Sequence, residues 1–186
     1  NEEMNITSVA REWHTVVETI SEDSKLVIID DGSKDSTYQV LTELSKELPQ
    51  LEVITKKNSG HGATVLYGYR YALEQNADYI FQTDSDGQTL PEEFYGFWEL
   101  RDKYSAVIGY RNHRKDGFSR VFVTKTLKFV LWCIFKLNIT DANTPFRLLN
   151  RDVLQRHISK IPKDFNLSNV MLTICLVKYK ENIRFI

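Results

Sequence analysis

Cysteine is scarce: Cys133 and Cys175 are the two in 186 residues, each inside an apolar segment with no second Cys or His at metal-ligand spacing. That scarcity argues against a disulfide-stapled scaffold and against a zinc site. Buried, reduced thiols in a reducing compartment are the simpler expectation. Charge of one sign is lacking too. The 24 basic and 25 acidic side chains leave a net charge of −1, so nothing global draws the chain to nucleic acid or to an anionic membrane. Any basic patch must be local. No apolar run reaches the ~18 residues of a membrane span, the densest stretch being Leu127 to Leu137. No basic-then-apolar leader, internal repeat, low-complexity tract or linker is present in the sequence given. What remains is an ordinary globular composition, 42% apolar and 26% charged, expected to fold as one domain over 1–186. The sequence starts on Asn1 and stops on the apolar Ile183-Arg184-Phe185-Ile186, and the domain is expected to continue beyond these limits.

Periodicity supplies the elements. Ile6, Val9, Trp13, Val16, Val17 and Ile20 recur at helical spacing, and Lys25-Leu26-Val27-Ile28-Ile29 is the short continuous apolar run of a strand buried on both faces. Val40, Leu41, Leu44 and Leu48 predict a second helix, Leu51-Glu52-Val53-Ile54-Thr55 a second strand, and Val65, Leu66, Tyr69 and Leu73 a third helix. Ala77 to Phe81 is the next strand. A helix after Pro91, strands at Ser105 to Gly109 and Phe146 to Leu149, and a last helix over Val170 to Tyr179 complete the reading. Strands alternating with helices of this length imply an α/β fold with a mostly parallel sheet and helices on both faces.

In such sheets ligands lie beyond the carboxyl ends of the strands. Two acidic clusters fall there: Asp30-Asp31-Gly32-Ser33 after one strand and Asp84-Ser85-Asp86-Gly87-Gln88 after another. Asp-x-Asp is common by chance, and turn-forming or capping residues are its plain reading. At the end of a strand, though, two carboxylates two residues apart can converge on one cation, and that cation can grip a diphosphate. Gly60-His61-Gly62 opens the third helix, whose free N–H groups could attract a phosphate, or His61 could be a solvated loop histidine. Arg111, Arg114, Lys115 and Arg120 form a local basic cluster.

Together these residues resemble the family-two glycosyltransferases, with their GT-A fold on a nucleotide-binding α/β sheet. Asn1-Glu2-Glu3 resembles the end of that family's Tyr-Asn-Glu-Glu, Asp30-Asp31-Gly32-Ser33 its Asp-Asp-Gly-Ser, Asn58-Ser59-Gly60-His61-Gly62 its Asn-x-Gly-x-Gly turn, and Asp84-Ser85-Asp86 its Asp-x-Asp. Within the family the likeness is to the dolichol-phosphate mannosyltransferase and polyprenyl-phosphate glycosyltransferase branch. Asp84-x-Asp86-x-Gln88, Gly109-Tyr110-Arg111 and Asp141-Ala142-Asn143-Thr144-Pro145-Phe146-Arg147 carry it, with Pro where that branch usually has Gly. The family's first strand should precede Asn1, and its Arg-x-x-Gly segment and any membrane helices should follow Ile186.

The resemblance implies inverting, metal-dependent transfer of a sugar from a UDP- or GDP-sugar to a polyprenyl phosphate, at the cytoplasmic side of a membrane. It implies Mg²⁺ or Mn²⁺ held by Asp84, Asp86 and Gln88, and nucleotide contacts from Asn1, Glu2, Glu3, Asp30, Asp31, Gly32, Ser33, Gly60 and His61. Asp31 is expected to read the base; capping of the second helix is the other reading of Asp30 to Ser33. Arg111, Arg120 and Thr124 would meet the acceptor phosphate, because guanidinium groups match phosphate bidentately. With a saccharide hydroxyl as acceptor instead, a general base is needed, and Asp141 is the candidate. Leu127 to Leu137 is open between membrane-interface contact, a core helix and a face for a homo-oligomer. A nucleotidyltransferase and a catalytically silent binding module are the competing classes.

Overall fold

The computed structural model describes residues 1–87, 89–110 and 142–186. Its elements follow the predicted order: α1 (Ile6–Ile20), β1 (Leu26–Asp30), α2 (Thr37–Glu47), β2 (Leu51–Thr55), α3 (His61–Glu74) and β3 (Tyr79–Gln82). A 3-10 turn (Pro91–Glu93) then leads into α4 (Phe94–Trp98), β4 (Ala106–Ile108), β5 (Arg147–Asn150), α5 (Arg151–Ile158), α6 (Ser168–Lys178) and β6 (Ile183–Phe185). The helix α5 escaped the periodicity reading because it is eight residues long and follows a strand without an intervening loop. Asn150 nonetheless caps it, accepting from Val153 N at 2.9 Å.

The strands fall into two groups. β1 and β2 pair in parallel, and a second sheet runs β3-β5-β4-β6. β5 is antiparallel to both neighbours, whereas β4 and β6 are parallel. The α/β fold is as expected, with β5 as the antiparallel strand among the parallel pairs. The turn at 142–146 enters β5 at the edge where β3 and β4 end, so the strand must come back down between them.

Alternation along each strand sorts the side chains into two layers. Tyr79, Phe81, Val107 and Leu148 meet Val9, Trp13 and Val16 of α1 and Phe94 and Phe97 of α4. Ile80, Ala106, Ile108 and Leu149 meet Leu66 and Tyr69 of α3, Val153 and Leu154 of α5, and Leu172 and Leu176 of α6. The helices on the two faces also bridge the two sheets. On one, Ile6 and Ala10 of α1 pack with Leu41, Leu44, Leu51 and Ile28 around β1 and β2. On the other, Gly68 of α3 lies against Ile29 of β1.

Phe97 and Phe146 lie edge-on with centroids 5.0 Å apart, and Phe81 reaches both at 5.6 and 4.8 Å. Phe97 is 4% exposed, so Phe97→Ala leaves a hole that rigid neighbours cannot fill. It should lower the unfolding free energy by about 3–5 kcal/mol in urea titrations.

Candidate functional site

The two acidic motifs and the glycine turn come together at the carboxyl edge, and hydrogen bonds hold them there. Asp30, 5% exposed, ends β1 and accepts from Thr55 Oγ1 at 2.8 Å and from Ser33 N at 3.2 Å. It thus closes its own turn and ties it to the end of β2. Gly32 sits at φ +71°, and an added Cβ would stand 3.0 Å from Asn58 N, so both its conformation and its neighbour demand glycine.

Asp31 is engaged on both carboxylate oxygens. Oδ1 accepts from Ser59 N at 2.9 Å and from Lys56 Nζ, and Oδ2 accepts from Gly60 N at 2.9 Å. Its carbonyl oxygen takes a further bond from Asn58 Nδ2 at 2.8 Å. Burial alone raises the Asp31 pKa, but the bonds from Lys56 and Ser59 and the Lys56 charge outweigh it and hold the carboxyl below its usual range. It lies just beyond the carboxyl end of β1, and its bonds serve the loop that starts α3. Lys56, absent from the sequence-based candidates, belongs to this network. Its only advance signal was a basic residue just before the Asn-x-Gly-x-Gly turn.

Asn1, Glu2 and Glu3 lie against the same edge. Asn1 Oδ1 accepts from Lys34 N at 2.8 Å, Glu2 N donates to Thr37 Oγ1 at 2.8 Å, and Glu3 Oε2 accepts from Ser36 N at 2.9 Å. The three residues pin the start of α1 to the start of α2. The capping expected of Ser33 is performed by neighbours instead, since Thr37 N and its hydroxyl both bond Asp35 Oδ1.

Across from this network, β3 runs out into the Asp84 to Asp86 turn. Thr83 and Thr89 join hydroxyls at 2.8 Å across its neck. His61, at the first turn of α3, places Nε2 3.9 Å from Asp84 Oδ1. The structure thus brings Asp84, His61 and Gly60 together at one spot, with Asp31 fastening Gly60 from the other side. Gly62 packs directly under Asn166: an added Cβ would lie 2.1 Å from the Asn166 carbonyl oxygen. That close approach joins the loop before α6 to the site, a partner invisible in the sequence because it is over 100 residues away.

Two carboxylates on an open turn suit a hard cation that completes its shell with phosphate oxygens and water. No group of three or more His, Cys, Asp or Glu among the described residues forms a cage for a metal by itself. Gln88, Arg111, Arg114, Lys115, Arg120, Thr124, Leu127 to Leu137, Cys133 and Asp141 lie outside the described residues. Cys175 is free and buried, as expected for a reduced thiol.

Because folding depresses the Asp30 and Asp31 pKa values, their contribution to stability is present above the unfolded carboxyl value of about 3.9. It is lost as pH falls through that value toward the folded ones. Thermal melts from pH 7 to pH 3 should show this acid limb, and Asp31→Asn should flatten it. Gly62→Ala should destabilise by about 1–3 kcal/mol through overpacking, read in the same melts at pH 7.

The chain is similar to known proteins. The chain is 25% identical over 157 residues to an undecaprenyl-phosphate 4-deoxy-4-formamido-L-arabinose transferase of Pseudomonas fluorescens, covering 83% of this chain and 45% of that protein. It is 26% identical over 150 residues to a UDP-N-acetylglucosamine–dolichyl-phosphate N-acetylglucosaminyltransferase of Methanococcus voltae, covering 70% of this chain and 60% of that one. The chain thus spans roughly half the length of these relatives. Among solved structures, S. aureus TarS 1-349 in complex with UDP superposes with TM-score 0.68 at 17% identity, covering all of this chain and 55% of the other. Glucosyl-3-phosphoglycerate synthase from Mycobacterium tuberculosis, with Mn²⁺, UDP and phosphoglyceric acid, gives TM-score 0.67 at 16% identity, over all of this chain and 64% of that one. These two show that the fold is that of GT-A glycosyltransferases, as the sequence led us to expect. The Glycosyl transferase family 2 profile matches residues 1–158, and the chain belongs to that family.

Proposed function

We propose that the protein transfers a sugar from a nucleotide-diphosphate-sugar to a polyprenyl phosphate, with inversion at the anomeric carbon. The observation that carries this reading is the meeting of Asp84 with the start of α3, where His61 Nε2 stands 3.9 Å from Asp84 Oδ1 and Asp31 fastens Gly60. The Asp84 carboxylate and the N-terminal end of α3 stand side by side there, and a cation beside a helix N-terminus suits a departing diphosphate. The names of the two curated relatives, one acting on undecaprenyl phosphate and one on dolichyl phosphate, support the acceptor class.

In this reading Asp84 and Asp86, with Gln88, hold Mg²⁺ or Mn²⁺, which supplies positive charge to the leaving group when bound. An oxygen of the acceptor phosphate forms the new bond to the anomeric carbon. The bond from that carbon to the donor's diphosphate oxygen breaks, and its electron pair leaves on the nucleoside diphosphate. A phosphate monoester is already an anionic nucleophile, so no protein base is required, and Asp141 takes a positioning role. Asn1 to Glu3, Asp30 to Ser33 and Gly60-His61 flank the nucleotide, while Arg111, Arg120 and Thr124 serve the acceptor phosphate. A polyprenyl acceptor brings with it peripheral contact with a membrane surface. Among the described residues no helix is long and apolar enough to cross one.

The function is tested by incubating the full-length protein with UDP- and GDP-sugars, undecaprenyl or dolichyl phosphate, and Mn²⁺. The expected outcome is release of nucleoside diphosphate with formation of the glycosyl lipid phosphate, and a fall of about 100-fold or more in kcat for Asp86→Asn. Release of sugar 1-phosphate, with the nucleotidyl group passed to the acceptor, would identify a nucleotidyltransferase instead. Asp141→Asn should leave transfer to the lipid phosphate largely intact, and its abolition would overturn the positioning role; loss of transfer to a saccharide hydroxyl instead would mark Asp141 as a base.

A further inference from the structure

The fully buried Arg147 is the least expected side chain in the molecule, at 0% exposure in the first position of β5. Its strand partners place it at the ligand edge: Gln82 of β3, two residues before Asp84, on one side, and Ile108 of β4, just before Gly109, on the other. Burying a guanidinium is costly unless its donors are satisfied by well-placed acceptors. Here they are spent on one turn and one helix. Nε donates to the Thr144 carbonyl at 3.0 Å, and Nη2 donates to the same oxygen. Nη1 donates to the Asn169 carbonyl and to Thr173 Oγ1 of α6, both at 3.3 Å.

Thr173 extends the arrangement. Its hydroxyl accepts from Arg147 and has one proton to give, with the Ala142 carbonyl at 3.1 Å and the Asn169 carbonyl at 2.8 Å as acceptors. The proton goes to one of the two at a time: on Asn169 O it closes on its own helix, and on Ala142 O it reaches the turn. Arg147 ties Thr144 O to α6 in both arrangements, and the hydroxyl adds the Ala142 end when it turns that way. The turn is buried at Ala142, Thr144 and Phe146, at 6%, 3% and 7% exposure, and exposed at Asn143. Phe146 O in turn accepts from Gly109 N at 2.9 Å, carrying the restraint to the end of β4.

On its other flank Arg147 faces the support of the acidic turn. Gln82 Oε1 accepts from Tyr69 Oη at 2.5 Å, beneath Asp84. Burial pushes the Tyr69 hydroxyl up, with the Arg147 charge opposing and the Asp84 charge adding, so both charges lie within electrostatic reach of that hydroxyl.

We propose that Arg147, relayed by Thr173, is a positioning residue that sets the 142–146 turn against the Asp84 to Asp86 turn. The acceptor side and the leaving-group side of the site are then held in register by one buried guanidinium. Displacements of about 1 Å cost on the order of 100-fold in reactions that depend on near-attack geometry. The inference rests on the transferase reading for its kinetic consequence and on the hydrogen bonds alone for its structural one.

Thr173→Val keeps the side-chain shape and removes the relay, and Thr173→Ser keeps the hydroxyl. Hydrogen exchange by mass spectrometry on the full-length protein should show faster exchange over 142–146 and at Gly109 in Thr173→Val, restored in Thr173→Ser. Exchange unchanged in Thr173→Val overturns the proposal, whether or not the protein turns over substrate. With nucleotide-sugar and polyprenyl phosphate, Thr173→Val should lose about tenfold in kcat, within the range for residues that orient a site through others. Its affinity for UDP or GDP with Mn²⁺, measured by calorimetry, should stay within about twofold, and Thr173→Ser should recover the rate. Equal losses in kcat and nucleotide affinity, or no recovery by Thr173→Ser, would indicate a structural role only. Arg147→Lys, which keeps the charge and loses the fork, should reproduce the Thr173→Val pattern; wild-type kcat in that variant overturns the assignment. A wild-type protein without turnover would remove the transferase reading while the exchange result still decides the clamp.

Discussion

The carboxylate of Asp31 is the constraint on which the carboxyl edge of β1 and β2 depends. It sits at the end of β1 and gathers the backbone N–H groups of Ser59 and Gly60 together with the Lys56 ammonium. Those N–H groups belong to the turn that opens α3, and α3 carries Leu66 and Tyr69 into the core. One side chain thus joins the end of a strand to the start of a helix and fixes where that helix begins. The cost of ordering a glycine-containing turn is offset because its donors meet a charged acceptor.

Around that anchor the site is assembled from pieces with separate supports. Asp30 and Gly32 shape the turn after β1, and Asn1 to Glu3 hold the start of α1 to the start of α2. Thr83 and Thr89 close the acidic turn after β3. Arg147 and Thr173 secure the 142–146 turn on α6. Apart from the Thr83–Thr89 hydroxyl pair, each support uses a backbone group, a carboxylate or a guanidinium, so the Asp84 to Asp86 turn is carried on a stiff base. Such a division suits a site that must present charge to a ligand without collapsing onto it.

Much of this was legible in the sequence because periodicity and turn chemistry are local. The amphipathic pattern of Ile6 to Ile20 and the apolar run from Lys25 to Ile29 appear as α1 and β1 with close boundaries. Asp30, Asp31, Asp84 and His61 reached one edge because alternating strands and helices place every loop of one kind there. The direction of β5 was not legible: Phe146 to Leu149 reads the same as a strand running either way. The eight-residue α5 was too short to show a period.

By itself the sequence determined the α/β class, the order of the elements and the edge at which the acidic motifs lie, since these follow from spacing along the chain. Tertiary structure alone decided what each motif residue touches. Nothing near Arg147 in the sequence says that it is buried, or that Thr173 on a later helix completes its bonds. Nothing near Gly62 says that Asn166 will leave no room for a Cβ. Those partners are brought together by folding across tens of residues, where a hydrogen bond or a steric contact depends on position in space and leaves no local pattern.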